Sequence, residues 1–294
     1  MEEKTMTDKI DVFCPCSPKD SLKLSYVVKS LVENFRELQD IHICVPDKTN
    51  FKDYEVEGHK VVFHEDFDVL PLQHYVSALR FRPNWIFQQW LKMFQTVTTD
   101  VNLTWDADCI LTKPLSAYDE NGKLKLFVQP NDKDESAFLR FSAKATGGVL
   151  GKWIEEDKCH TDYIADFALF NRKWIEEMVA KFFPSPLDFI QFSTLNTYWR
   201  KNDVKHSIFL SEYQLVGEYV DKFHPNEISK VQLKKRQIDR NQFSQIGNLW
   251  TEQEIEQEIA RNKELGYDTL KLQSNSPMSD VGWRTLYPTN QKVV

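Results

Sequence analysis

Two carboxylates one residue apart, Asp106 and Asp108, directly follow an alternating run of Val101, Leu103 and Trp105. Where a strand breaks into a loop, both can reach one hard cation. Magnesium and manganese prefer such oxygen ligands and share them with phosphates. In an open α/β sheet, ligands bind beyond the carboxyl ends of the strands. The pair is therefore suited to hold a cation against a diphosphate, where the cation neutralises charge developing on the leaving group. The spacing alone is weak, because each acidic residue type makes up about 6% of proteins and Asp-x-Asp arises by chance about once per 300 residues. Asp66-Phe67-Asp68 and Asp132-Lys133-Asp134 share it and read as solvated loop carboxylates. What distinguishes Asp106 and Asp108 is the strand before them and the elements upstream.

Those elements begin with a strand over Ile10 to Cys14 and a loop containing Pro15, Ser17, Pro18 and Asp20. Leu24, Val27, Val28, Leu31, Val32 and Phe35 then recur at helical spacing, and Ile41 to Val45 is the next strand, closed by Pro46. A β-α-β unit of this kind implies a parallel sheet with a right-handed crossover. Val61 to Phe63 adds a short strand. Asn84 to Val97 reads as a helix whose apolar stripe is Phe87, Trp90, Leu91, Phe94 and Val97, with Gln88, Lys92 and Gln95 on another face. Leu124 to Val128 and Tyr163 to Phe170 are further strands, and Asn171 can cap a following helix. Asp132 to Gly151 reads as loop, with Gly147-Gly148 allowing unusual backbone angles. Helices are expected over about Leu187 to Trp199 and Phe209 to Phe223, and Thr251 and Glu254 have capping-box spacing for a helix ending near Gly266. From about Pro225 onward the chain is more polar, as expected of a tail on the domain.

Composition restricts the function classes. The 294 residues carry 44 acidic and 37 basic side chains, a net charge of −7 that argues against nucleic-acid binding. Mean hydropathy is −0.50, no apolar run is long enough to cross a bilayer, and Met1 to Ile10 lacks the apolar stretch of a signal peptide. Cys14, Cys16, Cys44, Cys109 and Cys159 match no zinc spacing and read as reduced thiols in a cytoplasmic setting. With 20 Phe, 10 Tyr and 8 Trp, a thick aromatic core is expected, and Trp153, Trp174 and Trp199 are assigned to it.

Several segments, taken in order, resemble GT-A-fold glycosyltransferases, and most closely the family of uncharacterised domains designated DUF6492. They are Val12-Phe13-Cys14-Pro15-Cys16-Ser17-Pro18-Lys19-Asp20, then Trp85-Ile86-Phe87-Gln88-Gln89-Trp90-Leu91-Lys92, then Trp105-Asp106-Ala107-Asp108, and finally His160-Thr161-Asp162-Tyr163 and Ser211-Glu212-Tyr213. The resemblance covers Val12 to about Tyr219. It implies an α/β fold of the GT-A type, Rossmann-like, with a mostly parallel sheet flanked by helices over residues 1–224 and a C-terminal extension, residues 225–294, packing on the same domain. It also implies a nucleotide-diphosphate sugar as donor, manganese or magnesium, and transfer to a hydroxyl of a glycan or other acceptor.

Under that resemblance the roles distribute as follows. Asp106 faces the ribose or the metal, and Asp108 ligates the metal directly. Lys92 bonds the diphosphate or locks an Asp in place, with Gln88 and Gln89 beside it. Ser17 and Lys19 sit in the first β-α loop, where base or ribose docks, and Arg80 and Arg82 precede the helix as further phosphate candidates. GT-A enzymes often add a late His to the metal, and His206 and His224 are the candidates. An inverting transfer needs a carboxylate to accept the acceptor's proton; Glu212 and Asp166 lead, with Asp162 behind, whereas a retaining transfer needs none. His160 and Asp162 are expected to line the acceptor pocket. A nucleotidyltransferase of related fold ranks second, because the first loop contains no glycine. A non-catalytic carbohydrate-binding protein is the alternative from another class.

Overall fold

The computed structural model describes residues 8–79, 83–129, 136–151, 161–198, 207–241 and 250–275. The first strand, β1 (Ile10–Pro15), is buried at every position. Its side chains alternate between two cores. Val12 and Cys14 pack into one, with α1 (Ser21–Asn34), and Phe13 packs into the other. Leu24, Val27, Val28 and Leu31 are the inward stripe of α1, so the expected β-α-β unit forms, leading to β2 (Leu38–Val45) parallel to β1. The chain continues through β3 (Tyr54–Val56), β4 (His59–Glu65) and two short helices, α2 (Asp66–Val69) and α3 (Gln73–Ala78). It then enters α4 (Pro83–Phe94), which leads back to β5 (Val101–Trp105) on the other side of β1.

The central sheet has the order β3-β4-β2-β1-β5-β8, where β8 is Phe167–Asn171. Strands β4, β2, β1 and β5 run parallel, and the edges β3 and β8 are antiparallel. The result is a mixed α/β fold with a mainly parallel central sheet flanked by helices, compatible with a Rossmann-like arrangement. On one face lie α4, α5 (Ser136–Ala145), α6 (Arg172–Phe182), α7 (Pro186–Asn196) and α8 (Glu212–Phe223), around Trp90, Phe141, Phe170 and Phe189. On the other face α1 is joined by β6 (Cys109–Leu111), α9 (Glu252–Glu264) and β11 (Thr269–Asn275).

Three expectations need correction. The segment 132–151 is not all loop, since Leu139, Phe141, Ser142 and Ala145 give α5 a buried stripe. Gly147 and Gly148 then end it with positive φ, the amide of Gly148 reaching the Ala143 carbonyl. The strand expected over Tyr163 to Phe170 starts only at Phe167, which leaves Asp166 in the preceding loop. The described residues after 225 are more than a polar tail, although they do pack on the same domain. Strand β9 (Ile228–Gln232) pairs with β7 (Leu124–Val128), and β11 lies between β10 (Lys235–Asn241) and β6. Trp250, Ile255, Leu270 and Leu272 are buried in the same core as β1, so the described part of the extension contributes to that core.

The Asn171 cap and the Thr251–Glu254 capping box both form. Among the described residues no helix is long and apolar enough to cross a membrane, and Cys14, Cys16, Cys44 and Cys109 are buried free thiols.

Candidate functional site

The strand order reverses direction at β1. The chain builds β2 and β4 to one side of it and then returns to lay β5 on the other. Crevices at the carboxyl ends of the two strands flanking such a switch point are the usual ligand site of open α/β sheets. Here β1 ends at Pro15 and β5 at Trp105, immediately before Asp106. A tight turn follows, in which the Cys109 amide donates to the Asp106 carbonyl at 3.0 Å and the Trp105 indole N–H donates to the Cys109 carbonyl at 2.7 Å. Strand β11 docks on this turn through the Leu272 amide and the Asp108 carbonyl, 2.8 Å apart. The loop after β1 is tied to the same place. Lys23, fully buried, pairs with Asp20 at 2.6 Å and donates to the Leu272 carbonyl at 2.8 Å.

Lysines meet every carboxylate of this cluster. Lys92 of α4 donates to Asp106 Oδ1 at 2.6 Å and to Glu212 Oε1 at 2.7 Å, and it lies 4.3 Å from the centre of the Tyr213 ring. Tyr213 Oη donates to Asp106 Oδ1 at 3.0 Å. From the extension, Lys271 reaches Asp166 Oδ1 at hydrogen-bond distance, Asp106 Oδ2 at 3.4 Å and Asp108 Oδ1 at 3.8 Å. Lys235 of β10 pairs with Asp166 Oδ2. Asp166 is aimed at these lysines by a left-handed backbone, φ +67°, which Asp tolerates better than most residues, and its carbonyl accepts from the Asp106 amide.

Electrostatics follow from burial and pairing. Burial alone would raise Asp106, but Lys92 and Lys271 outweigh it and hold the carboxyl down at about 2. Asp108 is pushed up to about 6 by burial, which the more distant Lys271 offsets only in part. Burial likewise raises Glu212 against the pull of Lys92. Burial would lower Lys271, yet Asp108, Asp166 and Asp106 keep it protonated well above its ordinary range.

The expected site residues divide accordingly. Asp106, Asp108, Asp166, Lys92 and Glu212 are brought together, and Tyr213 joins them. Lys92 locks Asp106 rather than presenting itself to a ligand, being only 4% exposed. Gln89 is buried and accepts from the Glu212 amide at 3.0 Å, so the polar face of α4 is spent on the start of α8. Gln88 donates to the Pro15 carbonyl at 3.2 Å, fixing α4 to the end of β1. Ser17 is half-buried in the loop that follows β1, and Lys19 lies in its short 3-10 turn. Asp162 is buried and accepts from the Ile164 amide at 2.8 Å in a local turn.

His224 is not brought to the Asp pair. It caps the far end of α8, about 18 Å along the axis from Glu212 at 1.5 Å per residue. There its Nδ1 meets Glu227 at 2.8 Å and its Nε2 meets Glu177 at 3.1 Å. Asp66 is also not a solvated loop carboxylate, since it opens α2 and burial lifts its carboxyl to about 6. His160, His206, Arg80, Arg82, Asp132, Asp134, Cys159, Trp153 and Trp199 lie outside the described residues. Lys271 and Lys235 were not anticipated. In Leu270-Lys271-Leu272 the alternation identifies a strand, but a lysine between two leucines reads as its solvent side.

A divalent ion does not fit these residues as arranged. Manganese or magnesium requires carboxylate oxygens free to ligate, magnesium at about 2.0–2.1 Å. Asp106 accepts from Lys92, Tyr213 and Lys271, and an ammonium already stands between the three aspartates. Among the described residues no group of three His, Cys, Asp or Glu side chains could hold an ion. No family model matches the chain, and neither does any curated protein.

Proposed function

We propose that the protein is a glycosyltransferase of the GT-A type, moving a sugar from a nucleotide-diphosphate donor to a hydroxyl acceptor. The observation that supports this most is the position of Asp106 and Asp108. They stand on a tight turn at the carboxyl end of β5, beside the switch point at β1. The loop bearing Ser17 and Lys19 leaves the neighbouring strand end, where a nucleoside would dock. Tying both strand ends to α4, α8 and β11 fixes the positions of the charged groups before ligand arrives. Such preorganisation is what a transfer with a charged leaving group requires.

Glu212 and Asp166, the expected bases, are each held by lysine and are 3% and 5% exposed at their side chains. Neither is suited to take a proton from an acceptor. Asp108, whose carboxyl is raised to about 6 and whose nearest cation among the described residues is 3.8 Å away, is the better candidate. A non-catalytic carbohydrate-binding protein is the second reading, favoured by the close lysine pairing of Asp106, Asp166 and Glu212.

The test is thermal unfolding against a panel of nucleotide sugars and nucleoside diphosphates. A ligand at about 100 times its dissociation constant adds roughly 2.7 kcal/mol to the folded state. One nucleotide class should raise the melting temperature, and its sugar-bearing member should then be hydrolysed or transferred. Absence of any shift across the panel would refute the donor site, and binding of a sugar without turnover would favour the second reading.

A further inference from the structure

The cluster's arrangement around Lys271 goes beyond the reading above. Three aspartates from two loops, Asp106, Asp108 and Asp166, converge on one point, and that point is the Lys271 ammonium, at 3.4 Å and 3.8 Å from the first two and in direct contact with the third. A divalent cation would need such carboxylates free to close on it, and here the protein holds them apart with its own cation. We propose that Lys271, seconded by Lys235, is the resident cation of this site, so that a nucleoside diphosphate binds here without a metal ion. The identity of the ligand rests on the donor reading; the exclusion of metal does not.

Chemistry and position agree on this. Both lysines come from strands, β11 and β10, which pair over Lys235 to Asn241 against Thr269 to Asn275. Strand β11 is also bonded to β6 and to the Asp106–Cys109 turn, so the Lys271 stem is not free to swing aside. A metal entering between the aspartates would strand a buried ammonium beside a dication, a like-charge contact with no compensating partner. An ammonium has three N–H donors. Asp166 is the one partner of Lys235 among the described residues, which leaves that lysine with donors to offer a phosphate oxygen. Lys235 and Lys271 are 13% and 12% exposed at their side chains, more than the 4% of Lys92.

The test begins with the unmodified protein. Manganese is titrated while the free-ion paramagnetic signal is followed, and thermal unfolding is measured with UDP and with GDP, each in EDTA and in manganese. The wild-type chain should leave the manganese signal undiminished, and any diphosphate shift should be the same in EDTA as in manganese. In Lys271→Ala the aspartates face a vacated position. That variant should bind manganese at least roughly tenfold more tightly than the wild type and gain thermal stability from it.

Sequestration of manganese by the wild type at micromolar concentration would overturn the proposal. So would a diphosphate shift that appears only with manganese, or a folded Lys271→Ala that binds no more metal than the wild type. If the variant does not fold, the wild-type titrations still decide. If neither diphosphate shifts the protein and the wild type also ignores manganese, the donor reading falls while the role of Lys271 stands.

Discussion

Replacing Lys92 by methionine removes the buried ammonium that joins α4, β5 and α8 while keeping an apolar stem of similar length. Its Nζ lies 2.6 Å from Asp106 Oδ1 and 2.7 Å from Glu212 Oε1. At an effective dielectric constant near 20, a unit pair at such distances is worth roughly 6 kcal/mol. Desolvation of the ammonium offsets much of that, and losing one partner of a buried pair costs about 3–5 kcal/mol. Asp106 would keep Tyr213 and Lys271, so the second orphaned carboxylate should not double the loss.

The deficit depends on pH with a definite sign. Burial already raises Glu212, with Lys92 pulling it down. Without Lys92 its folded value climbs further above the unfolded one. Between those two values the folded state binds more protons, so the variant's stability falls as pH rises through the interval. Thermal unfolding should therefore show a deficit of roughly 6–20 °C at pH 8, at about 2–4 °C per kcal/mol, and a smaller one at pH 5. Adding Glu212→Gln to the variant should restore part of the loss. A deficit under about 1 kcal/mol, or equal deficits at both pH values, would refute the view that this ammonium holds the site together.

Two further substitutions on α8 test its packing. Glu218 is buried, and burial raises its carboxyl from 4.5 to about 7, although the Gln214 side-chain amide, 2.9 Å away, and the Ser142 hydroxyl favour its charge. Its ionised form is a burden that appears as pH rises from the unfolded value through the folded one. Glu218→Gln should be neutral near pH 4 and stabilising by up to about 3 kcal/mol at pH 8. A pH-independent difference in unfolding free energy would contradict this. Gly217→Ala would put a methyl group 2.4 Å from Cγ of Tyr163, whose hydroxyl is anchored on Asp221 at 2.7 Å. It should cost about 1–3 kcal/mol in denaturant unfolding, and a variant as stable as the parent would mean that α8 does not pack against Tyr163 in this way.

Much of the frame is legible because it is local. The stripe of α1, the alternation of β5, the Asn171 cap and the Thr251–Glu254 box each lie within a few residues of one another, and each forms. Helix α5 escaped because a run of polar residues precedes it and Gly147-Gly148 follows it. Asp106, Asp108, Lys92 and Glu212 were identifiable as a group, but their roles depended on partners that no spacing reveals. A helix face of Gln88, Lys92 and Gln95 looks solvated in sequence, yet Gln88 is half-buried and the other two are buried, Lys92 because α8 brings Glu212 to it and Gln95 because it bonds the Thr98 hydroxyl. The alternation around Lys271 conveys a strand but not what its polar side meets.

The separation of partners along the chain explains why the cations were hidden and bears on where the domain ends. Lys271 and Asp106 are 165 residues apart, and Lys23 reaches the Leu272 carbonyl across 249. A division at residue 224, natural by composition, would part Asp106, Asp108 and Asp166 from two of their ammoniums and remove Leu270 and Leu272 from the core beneath β1. Three converging carboxylates without a counter-cation repel one another and lose the bonds that orient them. The extension is thus required for the charge balance of the site as well as for burial. That explains how a chain can keep an Asp-x-Asp turn at a strand end while supplying from strand β11 the charge that such a turn otherwise takes from a metal.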